Sequence, residues 1–228
     1  HNDFIQDWVR GRAALNVKLS KEKYQRHPYE PCYLYESGIR PLEQYPLKGV
    51  IWYQGESNAQ TREAHEKLFK LLIGSWRKNW ANEELPFYYV QLSSIARPSW
   101  PWFRDSQRRM MDEIPHTGMA VSSDYGDSLD VHPRNKRPIG ERLARWALNK
   151  TYGMAGIVPS GPLFRQADFR EDAVYVTFDY GKGMKSSDGA PLRTFEVAET
   201  DGVYYPAVAE VIDGRINRIK VYSEQVKH

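Results

Sequence analysis

The stretch Val50-Ile51-Trp52-Tyr53-Gln54-Gly55-Glu56-Ser57-Asn58-Ala59 decides the fold of this chain. Its apolar half predicts a buried strand over residues 48–53, because apolar residues would occupy both faces. Its polar half predicts a sharp turn, and residues 61–80 carry apolar side chains at helical spacing. A buried strand that turns into a helix is typical of a parallel α/β sheet, in which ligands bind at the turns that follow the strands.

The same alternation of strand and helix continues after this stretch. Further strands are predicted at residues 85–92 and 117–122, and further helices at residues 104–113 and 138–152. The order β-α-β-α-β-α predicts an α/β fold with a parallel sheet flanked by helices. One more helix is predicted near the start of the chain, over residues 7–23.

The pattern of apolar and turn-forming residues changes after Gly153. Residues 157–162 are rich in proline and glycine and predict a linker. Beyond the linker, short alternating runs separated by Gly- and Asp-bearing turns predict a small antiparallel β module. These runs are residues 173–178, 194–197, 203–212 and 216–222. We therefore expect two domains, an α/β domain over residues 1–155 and a β-rich, sandwich-like module over residues 156–228.

The composition narrows the class of protein. Of the 228 residues, 41% are hydrophobic and 27% are charged, which is typical of a globular protein rather than a disordered one. The 32 basic and 29 acidic residues are mixed along the chain, so no nucleic-acid-binding face is expected. No apolar run approaches the roughly 20 residues that a membrane-spanning helix needs. The single cysteine, Cys32, excludes an intrachain disulfide.

A second polar cluster follows the third predicted strand. Asp124, Asp127, Asp130 and His132 share one loop. A histidine near a carboxylate is the usual arrangement of a general base, although it is also found as a plain loop contact. The acids fall three residues apart, whereas a calcium-binding EF-hand needs them two apart, so no metal is expected. We expect this loop and the turn at residues 54–58 to converge on one crevice.

One alternative makes Ser57 the nucleophile of a self-sufficient hydrolase. Gly55-Glu56-Ser57-Asn58-Ala59 differs by one residue from the G-x-S-x-G nucleophile elbow, and it lies between a strand and a helix as that motif should. The order of Ser57, then Asp127 or Asp130, then His132 also matches that of the α/β-hydrolases. Ala59 is the departure from the motif.

Five blocks of the sequence resemble, in order, the sialate O-acetylesterase family of the SGNH hydrolases. They are residues 34–42, 48–59, 87–92, 104–108 and 130–144, and the most specific are those around Gln54–Asn58 and His132. The resemblance covers residues 30–152 and extends more loosely into the β module. It implies an SGNH-like (flavodoxin-like) three-layer α/β/α sheet. It also implies a serine esterase that removes O-acetyl groups from sugars, typically sialic acid, without a metal or other cofactor.

The resemblance also implies roles for particular residues. His132 would be the catalytic histidine, and Glu56 and Asp130 compete to be its acid partner. We favour Glu56, because we expect Asp130, two residues before His132, not to reach the ring of its own neighbour. The oxyanion pocket, in which each donor contributes about 3 kcal/mol, would be lined by Gln54, Gly55 and Asn58.

One departure from the family pattern affects all of these expectations. The Gly-Gln-Ser-Asn-Met segment that carries the family's nucleophile does not occur in the 228 residues. We therefore expect a fragment whose sheet is incomplete at its N-terminal part and which alone lacks esterase activity. The missing N-terminal segment, as a separate chain, and an O-acetylated sugar are the expected partners. The resemblance favours a secreted or periplasmic location in bacteria. A non-catalytic carbohydrate-binding protein is the remaining alternative.

Overall fold

A computed structural model describes residues 7–20, 27, 28, 30, 32–213 and 217–226. The backbone divides into two compact units, which meet in the sequence at Leu143 and Ala144. The predicted division into domains at residue 155 stays a prediction.

The first unit is built on three parallel strands. Strand β1 (Val50–Trp52) pairs with β2 (Phe87–Val90), which in turn pairs with β3 (Thr117–Ala120). All four residues of the central strand are buried, as its apolar sequence requires when both faces are covered. The predicted parallel α/β architecture is confirmed.

Four helices accompany this sheet in the sequence of the described residues. They are α1 (Asp7–Leu19), α2 (Arg62–Asn79), α3 (Trp100–Glu113) and α4 (Arg137–Trp146). Helix α3 begins four residues before its predicted start, because Pro101 fits the first turn of a helix. The predicted helix at residues 138–152 ends at Trp146 and continues as a wider π-helical turn over Ala147–Thr151. Residues 21–23 of the first predicted helix lie outside the described residues.

Helix α2 packs one face against the sheet. Its buried positions recur every four residues, at His65, Phe69, Ile73 and Arg77, which is the spacing of a single helix face. The core that it joins also takes residues from the three strands, from α3 and from the chain next to them: Val50, Leu85, Phe87, Tyr89, Met110, Ile114 and Met119. This core holds the three strands in place and so positions the turns that follow them.

The second unit consists of antiparallel sheets, as predicted. One sheet has the order β4-β5-β9-β8, and its strands are β4 (Leu163–Arg170), β5 (Ala173–Asp179), β8 (Val208–Asp213) and β9 (Arg218–Tyr222). A two-stranded sheet pairs β6 (Glu196–Ala198) with β7 (Tyr204–Pro206). Strand β4 was not predicted, because the charged and polar residues along it hide the apolar alternation.

Within the described part of the chain, the helices are all too short or too polar to cross a membrane.

Candidate active site

A pocket of about 550 Å³ opens in the first unit. The residues that line it come from three segments, each of which follows a strand: the turn after β1, the loop after β2 and the loop after β3. They are Tyr53, Glu56, Ser57, Arg97, Val131, His132 and Lys136. The pocket therefore lies at the carboxyl edge of the sheet, where ligands of α/β proteins bind. The predicted convergence of the two polar segments on one crevice is confirmed.

The turn after β1, residues 54–58, is here called the β1 turn, and a glycine fixes its path. Gly55 has a φ of 145°, which side-chain-bearing residues rarely adopt. A Cβ atom at this position would lie 3.0 Å from the ring of Phe103 and 3.6 Å from Leu92. The backbone can therefore press against Phe103 only because residue 55 has no side chain. Glu56–Asn58 then forms one turn of 3₁₀-helix that leads into α2.

The end of the β1 turn is held by a buried histidine. The Asn58 side-chain nitrogen lies 3.1 Å from Nδ1 of His65, which is only 4% exposed. The His65 ring packs between Phe69 and Phe103, with centroid distances of 5.8 and 4.6 Å. Burial lowers the pKa of His65 to about 4, because the imidazolium loses its hydration in this apolar site. The ring is therefore neutral at neutral pH.

The loop after β3, residues 121–136, is called the β3 loop, and its base packs closely on the loop that follows β2. A Cβ atom on Gly126 would lie 2.5 Å from the backbone nitrogen of Ser94 and 2.7 Å from its carbonyl oxygen. The Ser94 hydroxyl donates to the carbonyl of Ser123 at 2.8 Å, and the Ala96 N–H donates to the carbonyl of Ser128 at 3.0 Å. The two loops are thus joined through backbone contacts.

A charged pair also holds the base of the β3 loop. Arg142 on α4 donates to both carboxylate oxygens of Asp124, at 2.7 and 2.6 Å, and to the carbonyl of Val121 at 2.6 Å. Such a bidentate arrangement is the stronger form of ion pair. The Arg142 guanidinium beside Asp124 holds the pKa of that carboxyl below its usual value.

The tip of the β3 loop brings Asp130 and His132 together. One carboxylate oxygen of Asp130 accepts the backbone N–H of His132 at 2.8 Å and lies 3.3 Å from its Nδ1. The first of these contacts is the main cause that holds the pKa of Asp130 below its usual value. The His132 side chain is 83% exposed. The expectation that Asp130 does not reach His132 is wrong, because side chains two positions apart lie on the same side of a chain and the loop bends here.

The predicted site residues are therefore brought together only in part. Glu56 and His132 line one pocket, and Asp130 contacts His132. Gln54, Gly55 and Asn58 are not among the residues that line it. Gln54 is exposed, Gly55 lies against Phe103 and Asn58 faces His65. The choice between Glu56 and Asp130, and the oxyanion roles, stay predictions.

Ser57 lines the same pocket as His132. It lies on the exposed side of the β1 turn. Among the described residues, no hydrogen bond joins the side chains of Ser57 and His132. The hypothesis that Ser57 is the nucleophile thus gains a shared pocket but not the direct contact of a nucleophile with its base.

Two cationic residues that line the pocket were not among the site residues predicted from the sequence. The Arg97 guanidinium lies 5.5 Å from the ring of Trp100, and the Lys136 ammonium lies 4.6 Å from the ring of Tyr53. In the described structure neither cation forms an ion pair with a carboxylate. Their positions along the chain could have predicted them. Lys136 lies in a block that resembles the family, and Arg97 closely follows the second strand.

Buried side chains fix where the chain leaves the sheet. The Gln107 side chain on α3 accepts the backbone N–H of Leu92 at 2.9 Å and so completes the hydrogen bonding at the end of β2. The Ser122 hydroxyl donates to the carbonyl of Gln91 at 2.6 Å, which joins the ends of β2 and β3. The backbone at the start of the loop that leads to Arg97 is therefore held by hydrogen bonds.

A small apolar cluster connects the three segments beneath the pocket. Its buried members are Ala59, Leu92, Trp100 and Phe103, and the partly buried Tyr53, Ile95 and Val131 pack against them. Tyr53 and Val131 also line the pocket. The cluster gives the segments a common support, since each contributes at least one side chain to it.

Comparison with known proteins identifies the family. Human and rat sialate O-acetylesterases (Homo sapiens and Rattus norvegicus) are 32% and 30% identical to this chain over 70% and 72% of its length, and the chain spans 36% and 34% of theirs. The crystal structure of a carbohydrate acetylesterase from Xanthomonas citri is 35% identical and covers 85% of this chain and 46% of its own, with a TM-score of 0.78. Residues 5–149 match the family described as "Carbohydrate esterase, sialic acid-specific acetylesterase". Because this match spans more than half of the sequence, the chain belongs to the sialic acid-specific acetylesterase family of carbohydrate esterases.

Proposed function

We propose that the protein carrying this chain hydrolyses O-acetyl esters of sugars by serine acyl transfer. The chain spans about a third of the length of its curated relatives. The observation that carries the proposal is the contact between His132 and Asp130 at a pocket that Glu56 also lines. A histidine whose Nδ1 faces a carboxylate keeps its Nε2 free as a general base.

The proposed mechanism proceeds in two balanced steps. In the first, Nε2 of His132 takes the proton of the serine hydroxyl while its oxygen attacks the acetyl carbonyl. His132 then gives this proton to the departing sugar oxygen, which leaves an acetyl-enzyme. In the second step, His132 takes a proton from water, whose oxygen attacks the acetyl-enzyme, and returns it to the serine as acetate leaves. Asp130, or Glu56 in its place, stabilises the charge on the imidazolium.

We assign the attacking serine to a residue other than Ser57. Ser57 shares the pocket but makes no described hydrogen bond to His132. Its turn is also held from beneath by Gly55 and Asn58, which limits how far the serine can shift toward the loop tip. The resemblance to the family supports a nucleophile on a segment outside these 228 residues.

We further propose that the substrate is an acidic sugar. The names of the family and of its curated relatives specify sialic acid, a sugar with a carboxylate. Besides His132, the pocket is lined by two cations, Arg97 and Lys136, and one anion, Glu56. The two positive charges against one negative charge leave the pocket with an excess of one positive charge, which favours an anionic sugar over a neutral one.

Acetate release from O-acetylated sialic acid by the full protein tests the proposal. We expect His132→Ala to lower kcat/KM by about 10³-fold and Ser57→Ala to change it less than about threefold. Unchanged turnover in His132→Ala contradicts the assigned base. A loss in Ser57→Ala as large as that in His132→Ala restores the self-sufficient hydrolase. Sugar binding without turnover in the wild-type protein identifies a non-catalytic sugar-binding protein.

A further inference from the structure

His65 lies outside the pocket but touches the segment that forms one of its walls. It is on the first turns of α2 and almost completely buried, and it does not line the pocket. Its Nδ1 lies 3.1 Å from the side-chain nitrogen of Asn58. Asn58 is the last residue of the 3₁₀ turn whose first two residues, Glu56 and Ser57, face the pocket. A contact that holds Asn58 therefore also helps to orient Glu56 and Ser57 in the wall of the pocket.

The protonation of the His65 ring decides what this contact can do. A neutral imidazole has one N–H donor and one nitrogen acceptor. Since Asn58 presents its NH₂ group, Nδ1 of His65 is the acceptor and the proton is on Nε2.

The same ring supports both ends of the β1 turn. Phe103 contacts the His65 ring at a centroid distance of 4.6 Å. Phe103 is also the residue against which the backbone of Gly55 is pressed. His65 thus holds Asn58 by a hydrogen bond and, through Phe103, supports the glycine at the other end of the turn.

We propose that His65 is a positioning residue for the esterase site, which through Asn58 fixes the turn that carries Glu56 and Ser57. The proposal rests on the esterase function proposed above. A histidine that only filled the core would be replaced equally well by another ring of similar shape. A positioning histidine needs its acceptor atom at Nδ1, so the two roles respond differently to the choice of replacement.

Two matched variants of the full protein separate these roles. His65→Phe keeps a ring in the core but removes the acceptor, and His65→Asn keeps an acceptor close to the position of Nδ1 but removes the ring. We expect His65→Phe to lower kcat about tenfold, the effect of one misplaced hydrogen-bonded group, with KM changed less than twofold. We expect His65→Asn to recover most of this loss despite a lower stability. The reverse order, with the Phe variant the more active, overturns the proposal.

A second measurement decides the proposal without reference to activity. ¹⁵N NMR of the histidine rings at neutral pH should show His65 with an unprotonated Nδ1 and a protonated Nε2. Asn58→Asp should move the proton to Nδ1, because a carboxylate only accepts hydrogen bonds. In His65→Phe, the backbone amide signals of Glu56 and Ser57 should shift. A wild-type ring protonated at Nδ1, or unmoved signals, overturns the positioning role. An inactive wild-type protein with the expected spectra overturns the esterase function alone.

Discussion

The β1 turn and the β3 loop form two walls of the same pocket, but they are held in different ways. The β1 turn is short and is supported from beneath by buried side chains, with Gly55 against Phe103 and Asn58 against His65. The β3 loop is long and is held at its base, where Gly126 packs on Ser94. Its tip carries the exposed His132.

This difference shows which parts of the site are fixed before a substrate binds. Packed apolar contacts define the position of the β1 turn, because protein cores are dense and resist small shifts. Solvent-exposed polar contacts are weak and exchange readily with water. The orientation of His132 is thus set mainly by its contacts with Asp130, and we expect a bound sugar to strengthen them by excluding water.

The largest expected effect on stability comes from the β1 turn. Gly55→Ala places a methyl group against Phe103 and imposes a φ that alanine rarely adopts. We expect the free energy of unfolding to fall by about 3 kcal/mol, as the sum of backbone strain and overpacking. Chemical denaturation measures this change.

Gly74→Ala is the matched control for this variant. Gly74 lies inside α2, and a Cβ atom there would meet nothing within 4 Å. We expect this change to raise the free energy of unfolding by about 0.5–1 kcal/mol. If Gly55→Ala were as stable as wild type, the β1 turn would be no more rigid than the β3 loop.

A smaller expected effect on stability, with a clear effect on turnover, comes from the base of the β3 loop. Gly126→Ala forces the loop away from the backbone of Ser94. Because the tip is exposed, the loop can shift at a cost of about 1 kcal/mol. Since His132 moves with it, we expect kcat/KM to fall about 100-fold. Full activity in this variant would show that the base of the loop does not position its tip.

The two cations of the pocket provide the next test. Arg97→Gln removes a positive charge that has no carboxylate partner among the described residues. We expect kcat/KM for an acetylated acidic sugar to fall about tenfold, with little change for a neutral acetylated sugar. Exposed charges are screened by salt, so the effect should shrink as the ionic strength rises.

Lys150→Gln is the control for this charge effect, because Lys150 is exposed and does not line the pocket. It should leave the ratio of the two kcat/KM values unchanged. Equal losses on acidic and neutral sugars in Arg97→Gln would remove Arg97 from charge recognition, and would leave it a packing role against Trp100.

The sequence predicted the buried elements better than the exposed ones. The apolar spacing along α2 predicted residues 61–80 as a helix, and the structure has one at Arg62–Asn79. Burial on one face imposes a period that can be read directly. Strand β4 was missed because Arg165, Gln166 and Asp168 interrupt its apolar residues. An exposed edge strand has no such period to read.

The site was predicted through the ends of its strands but not through its loops. Glu56 and His132 follow β1 and β3, so the fold itself brings them to one edge. The contact between Asp130 and His132 depends on a local bend, which periodicity does not encode. Arg97 reaches the pocket through the path of a loop, which is set by its packing on the cluster around Trp100 rather than by a motif.

The smallest expected effect concerns the ion pair between Asp124 and Arg142 at the base of the β3 loop. Asp124 is about half exposed, so Asp124→Asn should lower the free energy of unfolding by only about 0.5 kcal/mol at pH 7. Arg142 holds the pKa of Asp124 below the value of about 3.9 that an unfolded chain has. The contribution is therefore present above that value and is lost as the pH falls through the lower pKa of the folded protein.

Denaturation of the wild type and of Asp124→Asn at several pH values checks this prediction. Their difference in the free energy of unfolding should stay constant from about pH 8 to 5 and close below about pH 4. A difference that grew on acidification would contradict the sign of the pKa shift. A difference that stayed constant at every pH would mean that the charge of Asp124 contributes nothing. The variant would then have lost only a hydrogen bond to Arg142. In that case the β3 loop would depend at its base on the packing of Gly126, as the β1 turn depends on that of Gly55.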